Sequence, residues 1–233
     1  MDNFTNIKYE ISNLDNYLLR TKIFEGIKKY SNLFGESLLD VGCGKMPYKD
    51  HILANSKVKN YIGLDIEGGL EYDEKIKPDM LWDGFSMPFE EEIFDTAIAI
   101  EVIEHLFEPE ITVKEINRVL KKGGLLFFTV PFLWNLHEVP NDAYRYTPYS
   151  LERLFLKNGF SKIEIFAQGG WNSSLAQMLG LWVRRSPMGN KKRSVLSHII
   201  KPIIKYLISR DNGSKINFND SPMITGLYGV ANR

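Results

Sequence analysis

Residues 37–44 read SLLDVGCG, and they set the fold class. The short apolar run is typical of a buried strand, and the glycines after it let the backbone turn tightly and approach a ligand without a Cβ in the way. The run NYIGLDI at 60–66 repeats the pattern and ends in an acid and an isoleucine. Both runs are typical of buried strands of a parallel sheet, in which ligands lie beyond the strands' carboxyl ends.

Five further apolar runs follow along the chain and predict strands. They lie at 78–83, 94–100, 124–130, 161–167 and 224–231. The intervening segments have helical spacing, with one or two N-terminal helices within 1–35, a helix at 109–124 that starts with proline and ends with lysines and glycines, and a short helix at 147–159. This alternation predicts an α/β fold: a doubly wound, mostly parallel, seven-stranded sheet with helices on both faces.

Composition limits the class of protein. The chain has 233 residues, with 29 basic against 29 acidic side chains, which fits one domain and argues against a dedicated nucleic-acid binder. The lone Cys43 excludes a disulfide framework and a cysteine zinc site, and it fits a reducing compartment. The first residues resemble no secretory signal, and the longest apolar stretch, 125–134, is about half a membrane span. We therefore expect a soluble, cytoplasmic protein.

The residues that follow the first two strands predict a site for an adenosine-containing cofactor. Gly42 and Gly44 can admit a ligand, although a simple tight turn would also use them. Asp65 is placed to accept hydrogen bonds from two ribose hydroxyls, or else to cap a helix. A dinucleotide site would need a third glycine for the pyrophosphate, and Pro47 stands there instead.

Four segments together resemble the class I S-adenosylmethionine-dependent methyltransferases. They are LLDVGCGKMPY, YIGLDI, LWDGFSMPFEEEIFDTAIAIEVIEHLFEPE and INRVLKKGGLLFFTVPF. The resemblance covers roughly residues 20–167, plus a last strand at 224–231 that it implies to be antiparallel. One departure is Met46, which stands where the common first motif has a third glycine. The resemblance implies a Rossmann-like fold with S-adenosyl-L-methionine as cofactor.

The resemblance also implies a set of cofactor-binding residues. They are Asp40, Gly42, Cys43, Gly44, Asp65, Ile66, Asp83, Gly84, Phe85, Glu101, Val102 and His105. Asp40 is expected near the methionine amino group, and Asp83 at the adenine amino group, unless Asp83 is only a turn acid. His105 is expected one helical turn after Glu101, on the same face, where packing is the alternative. We expect no metal, because no second histidine or cysteine lies at ligand spacing.

The loop after the fifth strand, at 131–148, is the candidate acceptor site. It concentrates titratable and aromatic residues at the carboxyl edge of the sheet, and its expected catalytic residues are His137, Asp142, Arg145 and Tyr146. His137 is the candidate general base, because its ordinary pKa lies near neutrality. The alternative is a structural clamp in which Asp142 and Arg145 pair and His137 caps a turn. Arg145 could also hold a carboxylate or phosphate.

The same loop resembles methyltransferases of bacterial surface-polysaccharide assembly, which methylate sugars. This resemblance implies a sugar hydroxyl of a glycan precursor, or another small molecule, as acceptor. The residues themselves do not distinguish oxygen from nitrogen or carbon. Two other functions stay open: a non-catalytic S-adenosylmethionine-binding module and, less favoured, a nicotinamide-dependent oxidoreductase.

A basic helical insertion is expected at about 170–215. No acid occurs between Ile165 and Arg210, whereas eight basic residues do. The segment 194–210 predicts a helix with one polar stripe that includes His198, Lys201 and Lys205. Such a helix could pack on the sheet, form a homodimer interface, or act as a lid that meets anionic lipid or a lipid-linked glycan. In the last case the protein would lie at the inner face of the membrane.

Overall fold

The computed structural model describes residues 4–67, 77–211, 218 and 223–233. Its centre is a seven-stranded sheet in the order β3-β2-β1-β4-β5-β7-β6. The strands are β1 Ser37–Val41, β2 Asn60–Ile66, β3 Met80–Trp82, β4 Phe94–Ile100, β5 Leu120–Pro131, β6 Ser161–Ala167 and β7 Gly226–Asn232. The α-helices among the described residues are α1 Tyr17–Tyr30, α2 Lys49–Asn55, α3 Pro109–Val119, α4 Pro148–Lys157, α5 Trp171–Arg185 and α6 Asn190–Asp211.

The topology confirms the predicted doubly wound sheet. β1 pairs in parallel with β2 and with β4, while β3 extends the sheet beyond β2 and β5 extends it beyond β4, all in parallel. β7 runs antiparallel to β5 and to β6, as the resemblance implied for the last strand. The strand order reverses between β1 and β4, and this switch point is where ligands bind in such sheets.

Hydrophobic clusters cover both faces of the sheet, which explains why the strand sequences are continuously apolar. Phe127 packs on one face with Ile23 and Phe34, and its neighbour Phe128 packs on the other with Phe155. Successive side chains of a strand point to opposite faces, so both phenylalanines of β5 are buried. None of the helices within the described ranges is long and apolar enough to span a bilayer.

Two element boundaries differ from the sequence prediction. The helix predicted over 109–124 ends at Val119, because Leu120 already has extended backbone and pairs with Phe94 of β4. The lysines and glycines that looked like a helix end therefore belong to β5, where Gly123 adopts a positive φ of 77°. Within residues 4–35, Tyr17–Tyr30 is the single α-helix, in line with the expected one or two, and short 3-10 turns lie at Ile11–Asn13 and Ser31–Leu33.

Gly229 allows β7 to pack closely against β6, and replacing it tests whether this close packing stabilises the sheet. A Cβ on Gly229 would lie 2.1 Å from the Glu164 carbonyl oxygen and 2.9 Å from Phe128 Cζ. We expect Gly229→Ala to lower the free energy of unfolding, measured in urea, by about 1–3 kcal/mol, because backbone cannot yield as a flexible side chain can. The control is Gly189→Ala, where a Cβ meets nothing within 4 Å and the change should stay within about 0.5 kcal/mol. Equal stabilities for the two variants would contradict this account.

Candidate active site

The loop after β1 has the tight, left-handed turns that its glycines predict. Gly42 and Gly44 have φ values of 64° and 51°, and Met46 adopts 49°. Met46 thus takes a backbone conformation that glycine usually supplies, so the departure from the common motif is accommodated within the loop. A Cβ on Gly42 would lie 2.5 Å from Val102 Cγ2. The glycine loop therefore lies directly against the segment that follows β4.

Two acids stand at the ends of β1 and β2. Asp40 is buried and accepts a hydrogen bond of 2.5 Å from the Tyr61 hydroxyl. Burial raises the pKa of Asp40 to about 7, with a smaller opposing effect from that hydrogen bond. Asp65 accepts from the Gly44 amide at 2.9 Å and from the Ile66 amide at 2.7 Å, so its carboxylate joins β2 to the glycine loop. The residues that would form a helix capped by Asp65 lie outside those described.

The turn after β3 lies on the surface. Asp83 accepts hydrogen bonds from the amides of Phe85 and Ser86, which lower its pKa, as its alternative interpretation as a turn acid anticipated. Gly84 has a φ of 87°, and a Cβ there would contact Ile66 Cδ1. Ile66 and Phe85 are large apolar side chains left exposed on the two sides of this glycine. Cys43, by contrast, is buried.

The segment after β4 holds two glutamates, of which Glu101 is half-buried and Glu104 is buried. Glu101 has a positive φ of 56° and accepts from the Thr129 hydroxyl at 2.8 Å, while burial raises its pKa to about 7. Glu104 is fully buried, and neither carboxylate oxygen accepts a hydrogen bond from any described residue. Its burial, with the nearby charge of Glu101, raises its pKa well above the usual value.

The helical relation expected between Glu101 and His105 is wrong. The left-handed backbone conformation of Glu101 prevents a continuous helix from Glu101 to His105, and a 3-10 turn, Ile103–His105, follows instead. A one-turn spacing on a common helix face therefore does not apply. His105 lies near Glu104 instead, with 3.7 Å between its Nε2 and Glu104 Oε1.

The 131–148 loop folds over this 3-10 turn. The backbone carbonyl of Glu104 accepts hydrogen bonds from the amides of Ala143 and Tyr144, at 3.0 and 2.9 Å. Tyr146 is buried, and its hydroxyl lies 3.4 Å from the Ile103 carbonyl oxygen. This contact gives Tyr146 a packing role, and we do not retain it among the catalytic candidates.

The structure contains the clamp that the sequence left as an alternative, and the clamp holds His137. Arg145 donates to both oxygens of Asp142, at 2.5 and 2.7 Å, and Asp142 Oδ2 lies 3.2 Å from His137 Nδ1. The Arg145 guanidinium lowers the pKa of Asp142 to about 2. Burial lowers the pKa of His137, against a raising effect of Asp142. Arg145 is thus engaged inside the clamp, and Asp142 and Arg145 position His137.

His137 also supplies the second histidine that the sequence reasoning lacked. The rings of His105 and His137 have centroids 4.7 Å apart. Glu104, His105 and His137 each offer a potential ligand atom, and these atoms lie within 4.8 Å of one another. Local spacing could not reveal this group, because His137 comes from a different loop.

Three comparisons relate this geometry to known proteins. The family described as methyltransferase domain matches residues 39–128. A tRNA (carboxymethyluridine(34)-5-O)-methyltransferase of Arabidopsis thaliana is 33% identical over 41% of this chain and 24% of its own length. A ubiquinone biosynthesis O-methyltransferase of Pectobacterium atrosepticum is 28% identical over 44% of this chain and 45% of its own length. The chain thus spans less than half the length of either curated relative.

A solved structure extends the similarity beyond the matched segment. The S-adenosylmethionine-dependent methyltransferase of Archaeoglobus fulgidus has a TM-score of 0.54 at 15% identity, over 94% of this chain and all of its own. At that identity the likeness shows the fold alone. The matched segment contains the glycine loop, both strand-end acids, the half-buried Glu101 and the buried Glu104. Residues 39–128 thus match the methyltransferase domain family, within a fold shared with a solved S-adenosylmethionine-dependent methyltransferase.

Proposed function

We propose that this domain transfers the methyl group of S-adenosylmethionine to a hydroxyl of a small polar acceptor, with a sugar of a glycan precursor as the first candidate. The observation that carries the proposal is the contact between two half-sites. The glycine loop after β1 lies against Val102. Glu104, two residues after Val102, belongs to the cluster that it forms with His105 and the clamped His137. A cofactor edge and an acid–base cluster thus share one end of the sheet.

The residues around β1 to β3 fit the cofactor. The left-handed loop of Gly42 and Gly44 leaves backbone open to the methionine part, and Asp40 and Asp65 supply carboxylates for the amino group and the ribose. Exposed Ile66 and Phe85 offer apolar surface for the adenine. The same features argue against a nicotinamide dinucleotide, whose pyrophosphate needs a third glycine where Pro47 stands.

Methyl transfer is an in-line displacement at the sulfonium carbon, and the cofactor itself supplies the leaving group. The protein has to align the acceptor, exclude water and receive the hydroxyl proton. With Nδ1 of His137 directed at Asp142, Nε2 is the ring nitrogen left to face an acceptor. The lowered pKa of His137 keeps the ring neutral at neutral pH, which a proton acceptor requires. A non-catalytic binding module would have no need for this arrangement.

The choice of oxygen as acceptor atom rests on the two curated relatives, because the names of both specify O-methylation. The sugar follows from the resemblance of the 131–148 loop. The tRNA-modifying relative weakens the expectation, drawn from zero net charge, that nucleic acid is not a substrate. An RNA acceptor therefore belongs in the substrate screen.

The first test is turnover. We expect the protein to transfer labelled methyl from S-adenosylmethionine to at least one member of a panel of nucleotide sugars, lipid-linked sugars and tRNA. His137→Ala should lower kcat by about 10²-fold or more while cofactor affinity stays within a few-fold, because the loss falls on proton transfer. The control is His198→Ala, on exposed α6. Wild-type turnover in His137→Ala would remove this residue from the chemistry, and no turnover on any acceptor would favour a binding module.

The second test uses the raised pKa of Asp40. At pH 6 a carboxyl with a pKa of about 7 is mostly neutral, and at pH 7.5 it is mostly ionised. The cofactor's amino group stays largely cationic over this range. Calorimetry should therefore show S-adenosylmethionine binding several-fold more tightly at pH 7.5 than at pH 6. Asp40→Asn should flatten this dependence, whereas a flat wild-type profile would separate Asp40 from the amino group.

A second part of the proposal concerns α5 and α6, a helical hairpin inserted between β6 and β7. α5 is buried on most sides but exposes one row of large apolar residues, and α6 exposes another. The rows are Trp171, Leu175, Met178 and Trp182, and Val195, Ile199, Ile203 and Tyr206, each 44% to 64% exposed. On each helix, the exposed row lies about 100° around the helix axis from the side that packs against the other helix. The turn from the packed side to the row has the same sense in both helices. Because the two helices run antiparallel, both rows then lie on one face of the hairpin.

We propose that this face binds the surface of an anionic membrane. The hairpin carries eight basic residues, and its first acid, Asp211, is engaged by Asn172 and Ser173. Two copies meeting through this face would bring two such basic surfaces together, which disfavours a homodimer there.

On α6 the apolar row is continued by Lys191 and Lys192, which stand four and three residues before Val195 and are exposed, whereas Lys201 lies over the Tyr9 ring on another side of the helix. An apolar row that contains tryptophans and is flanked by lysines suits an interfacial helix. A lipid-linked acceptor would then be met at the membrane.

The third test measures this contact with vesicles. Lys191→Gln combined with Lys192→Gln should weaken binding to vesicles containing phosphatidylglycerol by about tenfold or more at low salt, because each lysine near an anionic surface contributes attraction. The control combines Lys57→Gln with Lys59→Gln, the same charge change at the opposite edge of the sheet. The difference should shrink as ionic strength rises. Equal loss in both variants, or a wild-type dimer that binds no vesicles, would contradict the assignment.

A further inference from the structure

We infer that Glu104, His105 and His137 form a binding site for one divalent transition-metal ion at the acceptor end of the site. The three residues come from two separate segments, and their potential ligand atoms lie within 4.8 Å of one another. Two imidazoles and one carboxylate form a recognised ligand set for such ions, with further positions left open. The inference deepens the proposed function, because the role of the ion in catalysis rests on that function. Binding of the ion does not depend on it.

Both imidazoles are held as metal-ligating histidines are. A ligating histidine usually donates its other ring N–H to a carboxylate or a backbone carbonyl, which fixes the tautomer and the ring orientation. His137 Nδ1 lies 3.2 Å from Asp142 Oδ2, and Asp142 is fixed in turn by Arg145. His105 Nδ1 lies 3.0 Å from the Asn141 carbonyl oxygen. Each ring is left with Nε2 for a ligand.

Glu104 is an independent observation that points to a cation. Its side chain is completely buried, yet neither oxygen accepts a hydrogen bond from a described residue. A buried, unpartnered carboxyl group is costly, and a bound ion is one of the few ways to satisfy it. Oε1 lies 3.7 Å from His105 Nε2, so the carboxylate points toward the imidazoles. The exposed Glu138, whose Oε2 lies 3.9 Å from the same nitrogen, is a candidate fourth ligand.

The donor set selects the class of ion. Imidazole nitrogen suits Zn²⁺, Fe²⁺ and Co²⁺, whereas Mg²⁺ and Ca²⁺ prefer all-oxygen surroundings. An ion at this position can take the acceptor hydroxyl as a further ligand and lower its pKa, so that the hydroxyl loses its proton to solvent near neutral pH and its oxygen attacks the methyl carbon as the carbon–sulfur bond breaks. With the ion bound, His137 Nε2 serves as a ligand, and the ion replaces proton acceptance by that nitrogen.

The experiment measures binding directly on untagged protein that has been treated with a chelator and dialysed. We expect one Zn²⁺ per chain in competition with a chromophoric indicator, and Co²⁺ to develop visible absorption bands on binding. His105→Ala, His137→Ala and Glu104→Gln should each lower Zn²⁺ affinity at least tenfold, with circular dichroism used to confirm folding. His51→Ala and His198→Ala are matched controls, because they remove the other two histidines and should bind Zn²⁺ as wild type does.

The outcomes separate the metal site from the proposed function. Absence of Zn²⁺ and Co²⁺ binding, or binding that survives loss of His105 and His137 together, would overturn the site. Binding with full turnover in chelator would overturn the role of the ion and leave proton transfer to His137. Specific Zn²⁺ binding in a protein that does not bind S-adenosylmethionine would leave the site standing and remove the methyltransferase proposal.

Discussion

The position of β1 between β2 and β4 is the constraint on which the other features depend. Parallel pairing on both sides brings the carboxyl ends of these three strands to one edge. The loop after β1 must then fit between the ends of its neighbours, and only a residue without a side chain fits where Gly42 meets Val102. The hydrogen bond from the Gly44 amide to Asp65 closes the other side. The cofactor edge is thus a consequence of strand order as much as of its motif.

The acceptor end of the site is held by a different principle. After β4, Glu101 is half-buried and Glu104 is buried, and burial of a carboxylate is unfavourable unless a partner compensates for the lost water. Glu101 has the Thr129 hydroxyl as its partner, whereas the carboxylate of Glu104 has none among the described residues. The backbone carbonyl of Glu104 nevertheless anchors the loop that carries His137. The unpartnered carboxylate therefore lowers local stability where the loop and the 3-10 turn meet, and such local destabilisation is typical of functional sites.

The sequence predicted the strands and the cofactor loop well, because their signals are local. Runs such as 60–66 and 94–100 coincide with β2 and β4, since period and composition suffice to identify a strand buried on both faces. The error at Leu120 arose because lysines and glycines favour a helix end locally, whereas pairing with Phe94 across the sheet overrides that preference. The expectation of no metal considered only residues close in sequence to Glu104 and His105, and local spacing could not show that the tertiary fold brings His137 to them.

The hairpin of α5 and α6 connects the acceptor loop with the basic apolar face. It leaves the sheet after β6 and returns at β7, whose first residue, Gly226, pairs with Pro131 at the carboxyl end of β5. At the end of α5, Arg185 donates to Asp15 at 2.8 Å, and its guanidinium lies 4.9 Å from the ring centroid of Trp134 in the acceptor loop. Within the proposed function, Arg185 would link the hairpin, where a membrane-bound acceptor is expected, to Trp134, three residues before His137.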